Sequence, residues 1–305
     1  MYWRCSIRVT VKSVRKKTGL AIHIHNAMKI RYRVFKDFSK QEVQQLKVLA
    51  IDVKQGFDAF LVDADHAKLA EIKSVIAEEW ESSISLETEF SEKDRCGSSF
   101  LHVYPAKLLG YPQPESAGCE FPFDLYPYFK DVFEIKNTDP EFGMLKGRQI
   151  GSYKLKKEPS WDSSSIGSAF WIQDSIFVKP EVYKAIFEPL GIKSLPVLEY
   201  KSHNVLKSVL QLVPQGISDA DLDIKAEHIN EIESIAGWEI NKYILNGIGF
   251  YPDFKSAPGD LDFFETKEFF GAGGFTVRAT IISQKLYQLL VKNKVKGLSY
   301  EPMTS

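Results

Sequence analysis

Apolar residues alternate or cluster at strand spacing over residues 28–35 and 57–62, and recur at helical spacing over residues 39–49 and 63–80. Asp63 or Asp65 is placed to cap the second of these helices. A further strand at 84–90 completes the order strand, helix, strand, helix, strand. That order predicts a small α+β unit closed on itself within residues 28–110. The pattern breaks between 91 and 120, where Cys96-Gly97-Ser98-Ser99, Tyr111-Pro112-Gln113-Pro114 and Ser116-Ala117-Gly118 are turn chemistry. Residues 111–169 are expected to be an irregular acidic and aromatic connection, with an exposed loop over 159–168.

Residues 170–305 predict a larger C-terminal α+β domain. Strands are expected near its start, a strand or short helix at 205–213, a helix at 225–238, and strands at 242–251, 261–264 and 275–282. Within it the chain nearly repeats itself, over 176–200 and again over 280–302. Val178-Lys179-Pro180-Glu181-Val182-Tyr183-Lys184-Ala185-Ile186-Phe187 returns as Ile282-Ser283-Gln284-Lys285-Leu286-Tyr287-Gln288-Leu289-Leu290-Val291. Ile192-Lys193-Ser194-Leu195-Pro196-Val197 then returns as Val295-Lys296-Gly297-Leu298-Ser299-Tyr300, with one residue fewer between the halves. Each copy reads strand, helix, strand. Pro180 at a first-turn position and Ser283 as an N-cap both suit unpaired first-turn amides. Val182, Tyr183, Ile186 and Phe187 match Leu286, Tyr287, Leu290 and Val291, one apolar stripe per helix.

The composition, 305 residues with 44% hydrophobic and 26% charged, is that of an ordinary globular protein with enough chain for a full core. Three scattered cysteines, Cys5, Cys96 and Cys119, make neither a disulfide scaffold nor a closed zinc site, so a reducing, cytoplasmic setting is expected. No stretch reaches the roughly 18 consecutive apolar residues of a membrane helix, and no membrane partner is expected. The formal charge of −1 conceals polarity along the chain. Residues 1–48 are strongly basic, and residues 50–102 reverse the sign. Met28-Lys29-Ile30-Arg31-Tyr32-Arg33-Val34 looks like a natural opening strand, so residues 1–27 read as an extension: an over-called start, an added segment or an Arg-rich targeting peptide, in that order.

Local catalytic and metal motifs are weak. Gly271-Ala272-Gly273-Gly274 lacks the spacing of either common phosphate loop and precedes a strand where those motifs demand a helix. His23-x-His25 would set two imidazoles on one face of a strand but lies in the extension, and Cys96, His102 and Cys119 fall within 24 residues without the two-residue gaps that let a turn hold a metal. No G-x-S-x-G is present, and no histidine is placed as a base for Ser163, Ser164 or Ser165. No cofactor and no metal are expected, and no nucleic acid.

Two segments mix acids with aromatics in the manner of a binding surface. Residues 260–270 carry Asp260, Asp262, Glu265 and Glu268 among Phe263, Phe264, Phe269 and Phe270. Residues 115–141 repeat the style, with Tyr126 and Asp131 among their docking candidates, and Trp161 lies in the loop that follows. Rings would anchor a basic protein and carboxylates would steer it. The competing arrangement turns the rings inward and leaves only the acids in water.

Leu195-Pro196-Val197 leading into Asn204-Val205-Leu206, then Leu261-Asp262-Phe263-Phe264, Thr280-Ile281-Ile282-Ser283-Gln284-Lys285-Leu286 and Val295-Lys296-Gly297-Leu298-Ser299-Tyr300-Glu301-Pro302 follow a familiar order. Over roughly residues 145–302 the chain resembles a bacterial family first catalogued as a domain of unknown function and now grouped with the immunity proteins of polymorphic toxin systems. Its kin include paralogues with a double C-x-x-C-G motif, of which this chain keeps only Cys96-Gly97. The resemblance implies a non-catalytic cytoplasmic protein that binds a cognate protein toxin and blocks its active site; a basic, nuclease-like toxin would suit the acidic segments. The alternative is an enzyme or small-ligand-binding protein with a site near the 271–274 turn and the Trp161/Trp171 region.

Overall fold

The structure, a computed structural model, describes residues 28–119, 125–139, 143–170, 172–235, 237–271 and 276–303. The proposed extension, Trp171 and residues 272–275 lie outside the described residues. The fold is α+β.

Strand β1 (Lys29–Phe38), helix α1 (Lys40–Val48), strand β2 (Gly56–Asp63), helix α2 (Leu69–Ile76) and strand β3 (Ile84–Glu89) follow the expected order. The sheet runs β2-β1-β3, all antiparallel. Period-2 alternation turns Tyr32, Val34 and Phe38 to the helices, where they meet Leu46, Ile72 and Trp80 in one buried cluster. Helix α1 starts where Ser39 and Glu42 form a reciprocal capping box. Neither Asp63 nor Asp65 caps α2, whose N-cap is Lys68. Asp63 instead ends β2 and takes the Arg31 guanidinium at 2.7 Å. Among the described residues, part of the charge reversal is paired here: Arg31 also meets Glu89, Arg33 meets Glu87, and Lys36 meets Glu42 and Glu79. Cross-strand pairing puts the basic strand beside the acidic one.

Next come helix α3 (Glu92–Gly97), strand β4 (Phe100–Pro105), helix α4 (Tyr126–Phe129) and the hairpin β5 (Phe133–Asp139) and β6 (Gly143–Gln149). Strands β7 (Lys154–Leu155), β8 (Ile166–Ala169) and β9 (Ile172–Val178) lead through helix α5 (Pro180–Val182) to β10 (Lys193–Glu199) and β11 (Val205–Val213). The chain ends with β12 (Ile229–Ile235), β13 (Ile240–Leu245), β14 (Phe263–Phe270), β15 (Val277–Ser283), helix α6 (Gln284–Lys292) and β16 (Leu298–Pro302). Two sheets result, ordered β7-β10-β11-β9-β8 and β12-β13-β14-β15-β4-β16.

Strand β4 corrects the boundary placed at residue 110. It lies between β15 and β16, antiparallel to both, so residues 100–105 belong to the C-terminal sheet. The segment 111–169 is likewise no loose connection, because β7 and β8 are strands of the five-stranded sheet and Tyr128, Phe129, Tyr153, Leu155 and Trp161 are buried against it. The helix expected over 225–238 is strand β12. Ile229, Ile232 and Ile235 recur every third residue and mimic a helix stripe, but pairing with β13 and a bulge between Ile229 and Glu231 decide the outcome.

The near-repeat is structural. β9 and β10 are parallel and flank β11, which runs antiparallel to both; β15 and β16 flank β4 in the same way. Each copy also has a preceding antiparallel partner on its outer side, β8 or β14. The first copy draws its inserted strand from later in the chain, the second from 177 positions before Val277, where β4 begins. The extra residue of the first copy is taken up by a π-helical turn, Tyr183–Phe187, which α6 lacks. That turn shifts the stripe: Phe187 is buried while Val291, its counterpart by sequence, is 41% exposed. Both helices and both sheets share one core with Leu101, Ile176, Phe263, Leu286 and Leu290, each such side chain contributing about 1.5–3 kcal/mol by burial.

Candidate functional site

The predicted docking edge at 260–270 is taken apart by the fold. Phe263 and Phe264 are 2% and 0% exposed and face opposite ways, into the shared core and into a second core with Tyr251 and Ile281. Neither ring anchors a partner, because this sheet is covered on both faces. Asp262 braces the start of α6, accepting from Ser283 Oγ at 2.5 Å and pairing with Lys285 at 2.9 Å. Glu265 is half-buried, and burial first, then the Asp174 carboxylate, push it up to about 7 against the pull of Arg278 and Lys146. Glu268 Oε1 accepts the Leu222 amide at 2.7 Å. Asp260 alone of the four acids is exposed.

The other candidates separate as well. Trp161 is buried, its indole N–H donating to the Ser208 carbonyl at 3.0 Å, so this ring, expected to dock a partner, belongs to the core instead. Tyr126 is exposed, and Asp131 lies 3.6 Å from Lys154. Cys96 is exposed and Cys119 buried, while His102 is engaged elsewhere. Among the described residues no group of three His, Cys, Asp or Glu is gathered that could hold a metal.

A site the sequence did not announce lies where the N-terminal unit meets the C-terminal sheet. The end of β3 faces the loop Asn246-Gly247-Ile248-Gly249-Phe250-Tyr251 across a cleft of about 460 Å³. Gly247 and Gly249 hold φ of +67° and +85°, so the loop folds back as only glycine does readily. Thr88 latches it: its hydroxyl accepts the Gly249 amide at 2.9 Å and donates to the Gly247 carbonyl at 3.4 Å. Phe90 and Phe250 pack with ring centroids 5.3 Å apart.

The floor comes from β4 and β16. His102 stacks on Tyr251 at 4.3 Å, and its Nδ1 lies 2.7 Å from Glu301 Oε2, which positions that carboxylate at the cleft. Burial, then Glu301 and Glu268, push the Tyr251 phenol well above its ordinary range, so it stays neutral. The lining contains Glu87, Glu301 and His228 but no Lys or Arg. It also contains no Ser or Cys, and its one hydroxyl besides the tyrosines, on Thr88, is spent on the loop. Each carboxylate already has one partner, Arg33 at 3.5 Å for Glu87 and His102 at 2.7 Å for Glu301. Their remaining acceptor capacity, among Tyr104, Phe90, Phe250 and Tyr251, suits a donor-rich cationic group through hydrogen bonds and ring faces.

Comparison with protein-family models, curated proteins and solved structures finds no match. Among the described residues no helix is long and apolar enough to cross a membrane.

Proposed function

We propose that the chain is a non-catalytic cytoplasmic binding protein of the immunity type, which captures a basic toxin and covers its active site. The observation that carries this reading is the cleft, aromatic-walled and lined by Glu87 and Glu301 without a single Lys or Arg. Its volume of about 460 Å³ falls within the range of small-molecule pockets and admits basic side chains projecting from a folded partner. The resemblance over residues 145–302 supports the same class. The cleft replaces the 260–270 edge as the docking point, because the rings of that edge are buried.

Co-expression with the product of the neighbouring gene tests the reading. Neutralisation of a toxic neighbour, with Glu87→Lys and Glu301→Lys together slowing association about tenfold or more at low salt, is the expected result. A neighbour that is harmless, or toxic but neither bound nor neutralised, overturns it.

A further inference from the structure

The six-stranded sheet holds a second hollow, of about 370 Å³, beside β14 and the segment Asp221–Ile224. Its geometry begins with an irregularity in β14. Opposite the single Ala279 of β15, three residues of β14, Thr266, Lys267 and Glu268, lie between the paired positions Glu265 and Phe269. This bulge is tightly held. Arg278 donates to the carbonyls of Thr266 and Lys267, and the Thr266 hydroxyl accepts the Ala279 amide at 3.1 Å while donating to the Glu268 carbonyl at 3.1 Å. Bulges of this kind re-aim a side chain out of strand alternation. Here the side chain is Glu268, which lines the hollow with Tyr243, Phe269 and Leu222.

Half of that carboxylate is satisfied. Oε1 accepts the Leu222 amide at 2.7 Å, whereas Oε2 is buried and receives no hydrogen bond. A buried carboxylate oxygen without a donor is rare and calls for one. The hollow is also not simply acidic. Lys255 and Lys267 stand exposed at its rim, and Lys267 reaches Asp221 at 3.3 Å. The wall is apolar, from Leu222, Ile224, Ile240 and Phe269. A bare cation would satisfy Glu268 but meet the lysines, and a bare anion would meet Glu268 and Asp221. A ligand carrying both charges, donor inward and acceptor at the rim, meets neither penalty.

We infer that this hollow binds a free α-amino acid, its ammonium donating to Glu268 and its carboxylate facing Lys255 at the rim. The inference does not rest on toxin binding, since the hollow and the cleft share no lining residue.

The test is calorimetric titration of the full-length chain with each free L-amino acid at millimolar concentration. Saturable binding of at least one is expected. Its N-acetyl derivative, which has lost the ammonium, and its decarboxylated amine should each bind at least about tenfold more weakly, as should Glu268→Gln. Glu301→Gln, in the cleft, should bind as the parent does. Should Glu268→Gln lose its folded circular-dichroism spectrum, exposed Lys255→Ala and the two ligand analogues decide the matter. If no amino acid binds, so that ordered water alone satisfies Glu268, or if binding ignores both the ammonium and Glu268, the inference is overturned.

Discussion

Gly191 and Lys294 occupy the same place in the two halves of the near-repeat, each ending its helix in the left-handed region, at φ of +71° and +53°. The hydrogen bonds around them match. The amides of Gly191 and Lys294 donate three residues back, to Glu188 and Val291, and those of Ile192 and Val295 donate five back, to Phe187 and Leu290. Only one copy carries the residue that this backbone favours.

Lys294→Gly should therefore stabilise the protein by about 0.5–1 kcal/mol, because glycine enters the left-handed region without the steric penalty of a β-carbon. Gly191→Lys should destabilise by a similar amount. Urea unfolding midpoints of the two variants measure both. Equal and negligible shifts would show that the equivalence is only geometric.

Gly297 is under a different constraint. A β-carbon there would sit 1.8 Å from the Ile166 carbonyl oxygen, at φ of +117°, whereas at Gly191 it would meet nothing within 4 Å. Gly297→Ala should cost about 3 kcal/mol or more, and Gly191→Ala about 1 kcal/mol. The difference matters for the join between the sheets, because the amides of Ser165 and Ile166 donate to the Lys296 carbonyl beside it. A thermal melt of Gly297→Ala close to that of Gly191→Ala would contradict this.

Glu265 makes stability depend on pH in a defined window. Its folded pKa is raised from 4.5 to about 7, chiefly by burial and then by Asp174. Below the unfolded value both states hold the proton, and above the folded value both have lost it. Between them the folded chain binds more protons, so stability falls as pH rises. The loss should be about 1–2 kcal/mol, less than the full shift converts to, because the carboxylate keeps some solvent contact. Glu265→Gln should flatten this part of the pH profile of unfolding, and an unchanged slope would assign it to another group.

Lys242 is fully buried and lies 2.7 Å from Glu233, whose side chain is 21% exposed. Lys242→Met should cost about 3 kcal/mol, since it leaves Glu233 without its cation. Adding Glu233→Leu should recover part of that loss, giving a coupling of about 1 kcal/mol in a double-mutant cycle. Strict additivity would mean that the pair contributes through packing alone.

Much of the secondary structure was written locally. The capping box of Ser39 and Glu42, the Ser283 cap and the apolar stripes of α1 and α6 each depend on residues within a turn or two, so the sequence by itself determined those helices. It also determined that two strand-helix-strand copies exist, and even the one-residue excess that becomes a π-helical turn. Local period failed where pairing ruled: the three-residue spacing of Ile229, Ile232 and Ile235 predicted a helix, and the ladder with β13 made a strand. Whether Phe263 and Phe264 were interface or core was undecidable from alternating acids and rings, because both faces of a covered sheet take apolar residues. Tertiary structure alone put β4 between β15 and β16, and so placed His102 beside Glu301 across 199 positions of chain. Register between distant strands is set by the burial of whole faces, a property of the assembled sheet that no single segment contains.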